Sequence, residues 1–166
     1  MSGKKSYYSL LIFCSLLITL NQCGPGLVKD SCLDEPESDA TYPTAEVTIE
    51  YFMGNQKQTV SFNQEDDPVI VKASKNKPLS IVYAGKDEQG MKSIYLSAIH
   101  YREILGKQQK HEYNILPISA DCPREKIEDI FKPNESRNTG TLKIQVKSTN
   151  WMNMQSQTKE IAIQLE

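Results

Sequence analysis

The first twenty residues combine positive charge with a run of apolar side chains. Lys4 and Lys5 precede an almost uninterrupted apolar stretch at residues 7–20. At about 14 residues, this stretch is shorter than the roughly 20 residues that a membrane-spanning helix needs, and it matches the apolar core of a secretion signal. The pattern therefore predicts an exported chain whose residues 1–22 form a signal peptide.

A polar segment follows the signal. Residues 24–44 are rich in Gly, Pro and Ser, and they contain five acidic residues: Asp30, Asp34, Glu35, Glu37 and Asp39. Such a composition cannot bury enough apolar surface to offset the entropy of ordering the chain. We expect residues 23–44 to form a tether rather than part of a folded domain.

From residue 45 onward, apolar and polar positions alternate with a period of two, which is typical of half-buried strands. Val47 and Ile49, for example, alternate with Thr48 and Glu50. Turn residues at 54–55, 87–90 and 106–109 separate the runs. Predicted strands occupy residues 47–53, 60–62, 69–73, 79–83, 91–105, 113–116, 142–146 and 161–165. Short strands at this spacing favour a β-sandwich over residues 45–166.

One segment departs from this alternation. Ile127, Ile130 and Phe131 share one face of a helix, Pro123 lies at its start and Asp121 precedes it as an N-cap. The spacing predicts one short helix over residues 123–131, inserted before the last hairpin and packed on the sheet.

Two stretches resemble bacterial immunoglobulin-like domains. Residues 78–96, PLSIVYAGKDEQGMKSIYL, resemble their central hairpin, and residues 140–150, GTLKIQVKSTN, followed by 161–165, resemble their final hairpin. The resemblance implies an all-β, immunoglobulin-like antiparallel β-sandwich whose Asp and Gly residues shape turns. The core tryptophan and inter-sheet disulfide of many such domains have no counterpart, because Cys32 precedes the first strand and Trp151 falls in a loop.

The end of the signal carries a second resemblance. Leu20 lies three positions before Cys23, as in the lipobox of bacterial lipoproteins, although Gln22 replaces the usual small residue. The resemblance implies that Cys23 is diacylated, becomes the new N-terminus and anchors the chain in the cell envelope. Ordinary cleavage to a secreted product and an uncleaved signal anchor are the alternatives.

Two further cysteines remain once Cys14, in the signal, and Cys23 are set aside. Cys32 and Cys122 form an even pair in a compartment that permits disulfides, so we expect them to be bonded. Two free thiols are the alternative. Neither cysteine belongs to a CxxC pair, and neither has a histidine nearby in sequence, so no zinc or redox site is expected.

Charge and motifs narrow the functional classes. The chain has 19 basic and 21 acidic residues, and removal of Lys4 and Lys5 with the signal makes the product more acidic, which argues against nucleic-acid binding. No hydrolase or phosphate-binding motif occurs. His100 fits a strand residue better than a catalytic base, so we expect no enzyme activity and no cofactor.

Two groups of residues are candidate binding sites. Asp66, Asp67, Asp87 and Glu88 lie in predicted loops and would suit calcium if those loops met, whereas ordinary solvated turns are the simpler alternative. Trp151, Met152 and Met154 place apolar surface in a loop between the last two strands. They could form a binding surface or fold back to cap one end of the sandwich.

The sequence thus predicts a membrane-anchored envelope lipoprotein whose sandwich binds a protein or glycan without catalysis. A structural spacer or assembly subunit of an envelope complex is the main alternative, and a small secreted hydrolase or transferase is a further one.

Overall fold

The computed structural model describes residues 32–34, 41–63, 69–134, 139–156 and 159–166. The predicted signal peptide, Cys23, Asp66 and Asp67 lie outside the described residues. Within these ranges every regular element is a strand, and no helix is long and apolar enough to span a bilayer. The all-β class predicted from the alternation is confirmed. The eight strands are β1 Thr44–Met53, β2 Gln56–Phe62, β3 Val69–Ala73, β4 Ser80–Ile104, β5 Lys107–Tyr113, β6 Ile118–Phe131, β7 Gly140–Asn150 and β8 Lys159–Leu165.

Strand β4 organises the fold because its first half pairs with β1 and its second half with β7 and β5, while β6 pairs with parts of both halves. Residues 80–86 lie between β1 and the second half of β6. Residues 91–102 pair with β7. Met91, Ser93 and Ile94 also pair with β6, and residues 98–104 pair with β5. The register shifts between Lys86 and Met91, where residues 87–90 form a bulge. β4 therefore belongs to two layers, β2-β1-β4-β6 and β5-β4-β7-β8-β3, and β6 also continues along the start of the second.

Hydrogen bonds join the two layers at both ends. At one end, Ser148 Oγ in β7 donates to the carbonyl oxygen of Thr44 at the start of β1, over 3.1 Å. At the other end, Ser74 N donates to the carbonyl oxygen of Phe52 over 2.7 Å. Ser74 follows β3, whose last residue is level with the start of β7 through the β3–β8–β7 register. We call the first end the bulge end and the second the distal end.

One hydrophobic core lies between the layers. It draws alternate residues from both, which supports a sandwich-like arrangement. Its fully buried members include Ile49, Ile81, Tyr83, Ile94, Leu96, Leu142, Ile144, Ile161 and Ile163. His100 is also fully buried, on the face that the alternation assigns to Ile94 and Leu96.

The predicted helix at residues 123–131 is wrong, since this segment is the second part of β6. Its residues pair with β4, as in Ile127 with Gly85 and Phe131 with Ile81. Ile127 is buried whereas Ile130 is 52% exposed, so the two do not share a buried face. The segment forms a strand despite its helical spacing because its backbone can pair with β4 along its length, whereas an isolated nine-residue helix has little stability of its own.

Residues 87–90 do not form the predicted hairpin turn either. The stretch that resembles a central hairpin is one continuous strand, whose halves bend into different layers instead of pairing with each other. The last two predicted strands do pair with each other, since β7 and β8 are antiparallel.

The sandwich is not wholly antiparallel. β3 and β8 pair in parallel, with Val69 opposite Ile161 and Ala73 opposite Leu165. Alternation has the same period of two in either pairing direction, so the sequence pattern carries no information about this direction.

Candidate functional site

The disulfide predicted between Cys32 and Cys122 is present. Beside it, Leu33 N donates to the carbonyl oxygen of Pro123 over 2.8 Å. Cys32 is exposed and Cys122 is half-buried. The bond therefore fixes the chain that precedes β1 onto β6, at the bulge end and in reach of solvent.

Asn150, at the end of β7, is the central polar residue of the bulge end. Its side chain is fully buried. Its Nδ2 donates to the carbonyl oxygen of Thr41 over 2.8 Å and to Asp87 Oδ2 over 3.2 Å, and its Oδ1 accepts from Met154 N over 2.8 Å. One amide thus ties together the segment that enters β1, the bulge in β4 and the turn after β7.

Asp87 shapes the bulge. It is 6% exposed, and its Oδ1 accepts a hydrogen bond from Gln89 N over 2.8 Å, closing an Asx turn. Its Oδ2 accepts a hydrogen bond from Asn150 Nδ2. Glu88 is exposed. Within the described ranges no three His, Cys, Asp or Glu side chains gather in a group suited to a metal. Asp66 and Asp67, the other two calcium candidates, lie outside the described residues.

The turn around Trp151 lies against the bulge. Trp151 N donates to the carbonyl oxygen of Gly90 over 2.8 Å. Trp151 and Met154 are half-buried, and Met152 is 38% exposed. The three apolar residues therefore lie beside the attachment of the incoming chain, with part of their surface exposed.

A groove at the distal end was not foreseen. It encloses about 410 Å³ on the outer side of the first layer, where Phe52 of β1 lies opposite Lys57 of β2. Its lining consists of Glu50, Phe52, Lys57, Pro78, Leu79, Ser80, Lys132 and Pro133. One feature of the sequence could have indicated this groove. Phe52 is an aromatic residue on the face of β1 that otherwise carries the polar residues Thr48 and Glu50.

The charged residues that line this groove are two lysines and one glutamate, so positive charge is in excess. Lys57 forms an ion pair with Glu50 at 3.2 Å. Lys132 forms no ion pair with any residue that the structure describes. The groove therefore combines an apolar floor with a net positive rim, an arrangement suited to binding a partner that carries carboxylates.

The β4–β5 hairpin also ends at the distal end. Ile104 pairs with Lys107, so Leu105 and Gly106 form the whole turn. Their φ angles of +52° and +72° place both in the left-handed region, where leucine is disfavoured. Leu105 is 97% exposed. A large apolar side chain thus stands on a strained, solvent-exposed turn.

The two histidines differ in surroundings. His100 is fully buried in the core of the sandwich. His111 is exposed on β5, and its ring packs edge-on against Tyr113 with centroids 4.7 Å apart.

Comparisons with known proteins give no family for this arrangement. No family model matches the chain, and no curated protein sequence matches it.

Proposed function

We propose that this protein is an envelope lipoprotein, anchored through a lipid on Cys23, whose sandwich binds another macromolecule with its distal end and performs no catalysis. The partner is a protein or a glycan that presents carboxylates.

One observation is the main support for this proposal. In the part that the structure describes, the incoming chain, which is the segment that precedes β1, is attached to the domain only at the bulge end. It is held there by the Cys32–Cys122 bond and by the hydrogen bond from Asn150 to Thr41. An anchor upstream of Cys32 is therefore joined to the domain at the bulge end, and the distal end is the end without an attached incoming chain in the described ranges.

The surfaces at the distal end support its role as the binding face. The groove offers apolar contacts from Phe52 and Pro78 with the cation of Lys132 at its rim. The exposed side chain of Leu105 adds an apolar contact on the β4–β5 turn at the same end of the domain. Apolar anchors surrounded by polar groups are the usual pattern of a binding surface. The turn at Trp151 lies at the end that holds the incoming chain, which makes it the less accessible of the two surfaces.

The test is recovery of an envelope partner by chemical cross-linking, followed by mass spectrometry. Intact-mass analysis of the membrane fraction first establishes acylation at Cys23. A Leu105→Ser/Lys132→Glu variant should then recover much less partner than the wild type, whereas Trp151→Ala/Met152→Ala should recover a similar amount. Loss confined to the Trp151 variant would move the binding face to the bulge end, and an unacylated product would remove the anchor.

A structural subunit is the second candidate, and strand β5 favours it. Among the described residues β5 pairs only with β4, and its first six residues are exposed. An open edge can accept a strand from a partner, although Lys107 and Lys110 also discourage unspecific pairing. A Gln109→Pro substitution should abolish a stoichiometric complex built on this edge and leave groove binding intact. An unchanged complex would exclude the edge.

We also propose that the sandwich is a divergent immunoglobulin-like domain. The antiparallel β7–β8 pair supports this assignment, whereas the continuous β4 departs from it. An experimental structure that superimposes on immunoglobulin-like domains only through β7 and β8 would exclude it.

A further inference from the structure

We propose that the outer face of the second layer is a binding surface for an uncharged, linear β-1,4-linked polysaccharide. It is separate from the distal groove, which lies on the first layer, and it depends on neither that groove nor the lipid anchor. Its centre is a row of β4 side chains that alternate with buried core residues such as Leu96 and Ala98, and therefore face away from the core. The row consists of Tyr95, Ser97, Ile99 and Tyr101. We call this row, together with the side chains opposite it on β5 and β7, the tyrosine face.

Polar side chains border the row. On β7 and β5 the residues opposite it are Thr141, Lys143, Gln145, Lys147, Lys110 and Glu112. Tyr101, for example, lies between Thr141 and Lys110. The tyrosine face is therefore a narrow strip of aromatic and apolar groups with hydrogen-bonding side chains beside it.

The two tyrosines are available to a ligand. Tyr95 is 44% exposed and Tyr101 is half-buried. Neither hydroxyl has a hydrogen-bond partner among the residues that the structure describes. A tyrosine ring combines an apolar face with a hydrogen-bonding tip. A sugar ring has the same two kinds of surface, since C–H groups cover its faces and hydroxyl groups surround its rim, so the two can stack and hydrogen-bond at once.

The charges on this side of the layer are balanced, which favours an uncharged partner. Three ion pairs lie there: Lys143–Glu160 at 3.1 Å, Lys110–Glu112 at 3.3 Å and Lys72–Glu166 at 3.4 Å. Lys147 and Glu103, near opposite ends of the row, form no ion pair with a described residue, and their charges are opposite. A polyanion or a polycation would gain no net attraction here, in contrast to the groove with its excess of lysine.

The direction of the row favours an extended chain. Tyr95 and Tyr101 are six positions apart on one strand, which corresponds to about 20 Å. Chains of β-1,4-linked glucose or N-acetylglucosamine are straight, flat ribbons, whereas α-1,4- and β-1,3-linked glucans coil. A straight ribbon that lies along β4 meets both tyrosine rings, and its hydroxyl groups reach the polar side chains of β5 and β7.

Calorimetric titration of the full-length protein in detergent tests this assignment. We expect cellohexaose or chitohexaose to bind, since both present the straight ribbon, and comparison of the two shows whether the acetamido group contributes. Tyr95→Ala and Tyr101→Ala should each weaken the affinity about tenfold, the loss typical of an aromatic hot spot. Maltohexaose, which coils, and trigalacturonate, which is charged, should bind at least about tenfold more weakly. Absence of binding to both ribbons, or equal affinity for all four sugars, would overturn the inference.

Tyr95→Phe and Tyr42→Ala are the matched controls. Tyr95→Phe keeps the ring, so it should lose less affinity than Tyr95→Ala. Tyr42 is 68% exposed and lies before β1, away from the tyrosine face, so Tyr42→Ala should bind as the wild type does. Each variant should first show the urea unfolding transition of the wild type. If Tyr101→Ala does not fold, Tyr95→Ala decides the test, and a loss no larger than that of Tyr42→Ala would overturn the inference.

This inference and the proposed function fail in different ways. Lys132→Glu should leave sugar binding unchanged, and its loss in this variant would place the sugar in the distal groove and overturn the inference. A dimer that dissociates on Tyr95→Ala in sedimentation, without sugar binding by the wild type, would show that a second copy covers the face and would also overturn it. Failure to recover an envelope partner would overturn the proposed function alone.

Discussion

Asn150 Nδ2 donates to Asp87 Oδ2 over 3.2 Å and so joins the end of β7 to the bulge in β4. This contact holds the place where β4 passes from one layer to the other. It also connects that place to Thr41, through the second hydrogen bond of the same amide.

An Asn150→Ala substitution should therefore be strongly destabilising. It removes three hydrogen bonds from a fully buried side chain and leaves Asp87 Oδ2 without that donor. We expect the free energy of unfolding in urea to fall by about 3 kcal/mol. Gln108→Ala, on the exposed edge of β5, serves as the control and should change it by less than about 0.5 kcal/mol. Equal effects of the two substitutions would contradict the role given to Asn150.

Gly90→Ala tests the packing of the bulge against β6. Gly90 has φ of +103°, and an added Cβ would lie 2.5 Å from the Cβ of Pro123. We expect a loss of about 3 kcal/mol or more in chemical denaturation, from backbone strain and steric overlap together. Gly54→Ala is the matched control, since Gly54 has φ of +64° but no atom within 4 Å of an added Cβ. It should cost only about 1 kcal/mol. Similar losses at both sites would show that the contact with Pro123 is unimportant.

Loss of the disulfide should lower stability as well. Cys32 and Cys122 are separated by 90 positions, so closing this loop restricts the unfolded chain. On the chain-entropy model, Cys32→Ser/Cys122→Ser should reduce the free energy of unfolding by about 4.5 kcal/mol, measured by thermal denaturation without reductant. Adding reductant should lower the melting temperature of the wild type but not of the variant. A wild type indifferent to reductant would indicate that the bond does not stabilise the fold.

We expect the fold to lose stability at alkaline pH because of Tyr83. Burial of the side chain, together with its hydrogen bond of 3.0 Å to Asp129 Oδ2, raises the pKa of the phenol well above its usual value. Below pH of about 10 both folded and unfolded chains keep the proton, and the contribution is complete. Above that pH the unfolded chain loses the proton first, so the free energy of unfolding should fall by up to about 1.4 kcal/mol per pH unit.

Tyr83→Phe isolates this effect. The difference in unfolding free energy between wild type and variant should shrink as pH rises from 9 to 11. Tyr42→Phe, at a side chain that is 68% exposed, should run parallel to the wild type over the same range. A constant difference between wild type and Tyr83→Phe would contradict the raised pKa.

Alternation predicted most of the strands because burial on one face of a sheet repeats every two residues. Val47 and Ile49 in β1, and Leu142 and Ile144 in β7, are buried as the pattern requires. The disulfide followed from cysteine parity and the expected compartment. These features depend on local pattern or on counting, which a single sequence contains.

The features that the sequence did not predict depend on contacts between distant segments. Ile127, Ile130 and Phe131 fit a helix equally well until β4 provides a partner ladder. Asp87 and Gly90 are ordinary turn residues, and only the pairing of β1 and β7 to opposite halves of β4 makes them a bulge. The groove combines Phe52, Pro78 and Lys132, which lie on different elements, so no local pattern identifies it.

The strand Ser80–Ile104 has a mechanical consequence, because it supplies hydrogen-bonding partners to both layers. Neither layer retains a complete set of neighbours if the chain is cut at the bulge, so fragments on either side of residue 88 should not fold separately. Unfolding should accordingly be all-or-none, and both layers should together resist a pulling force applied at the bulge end.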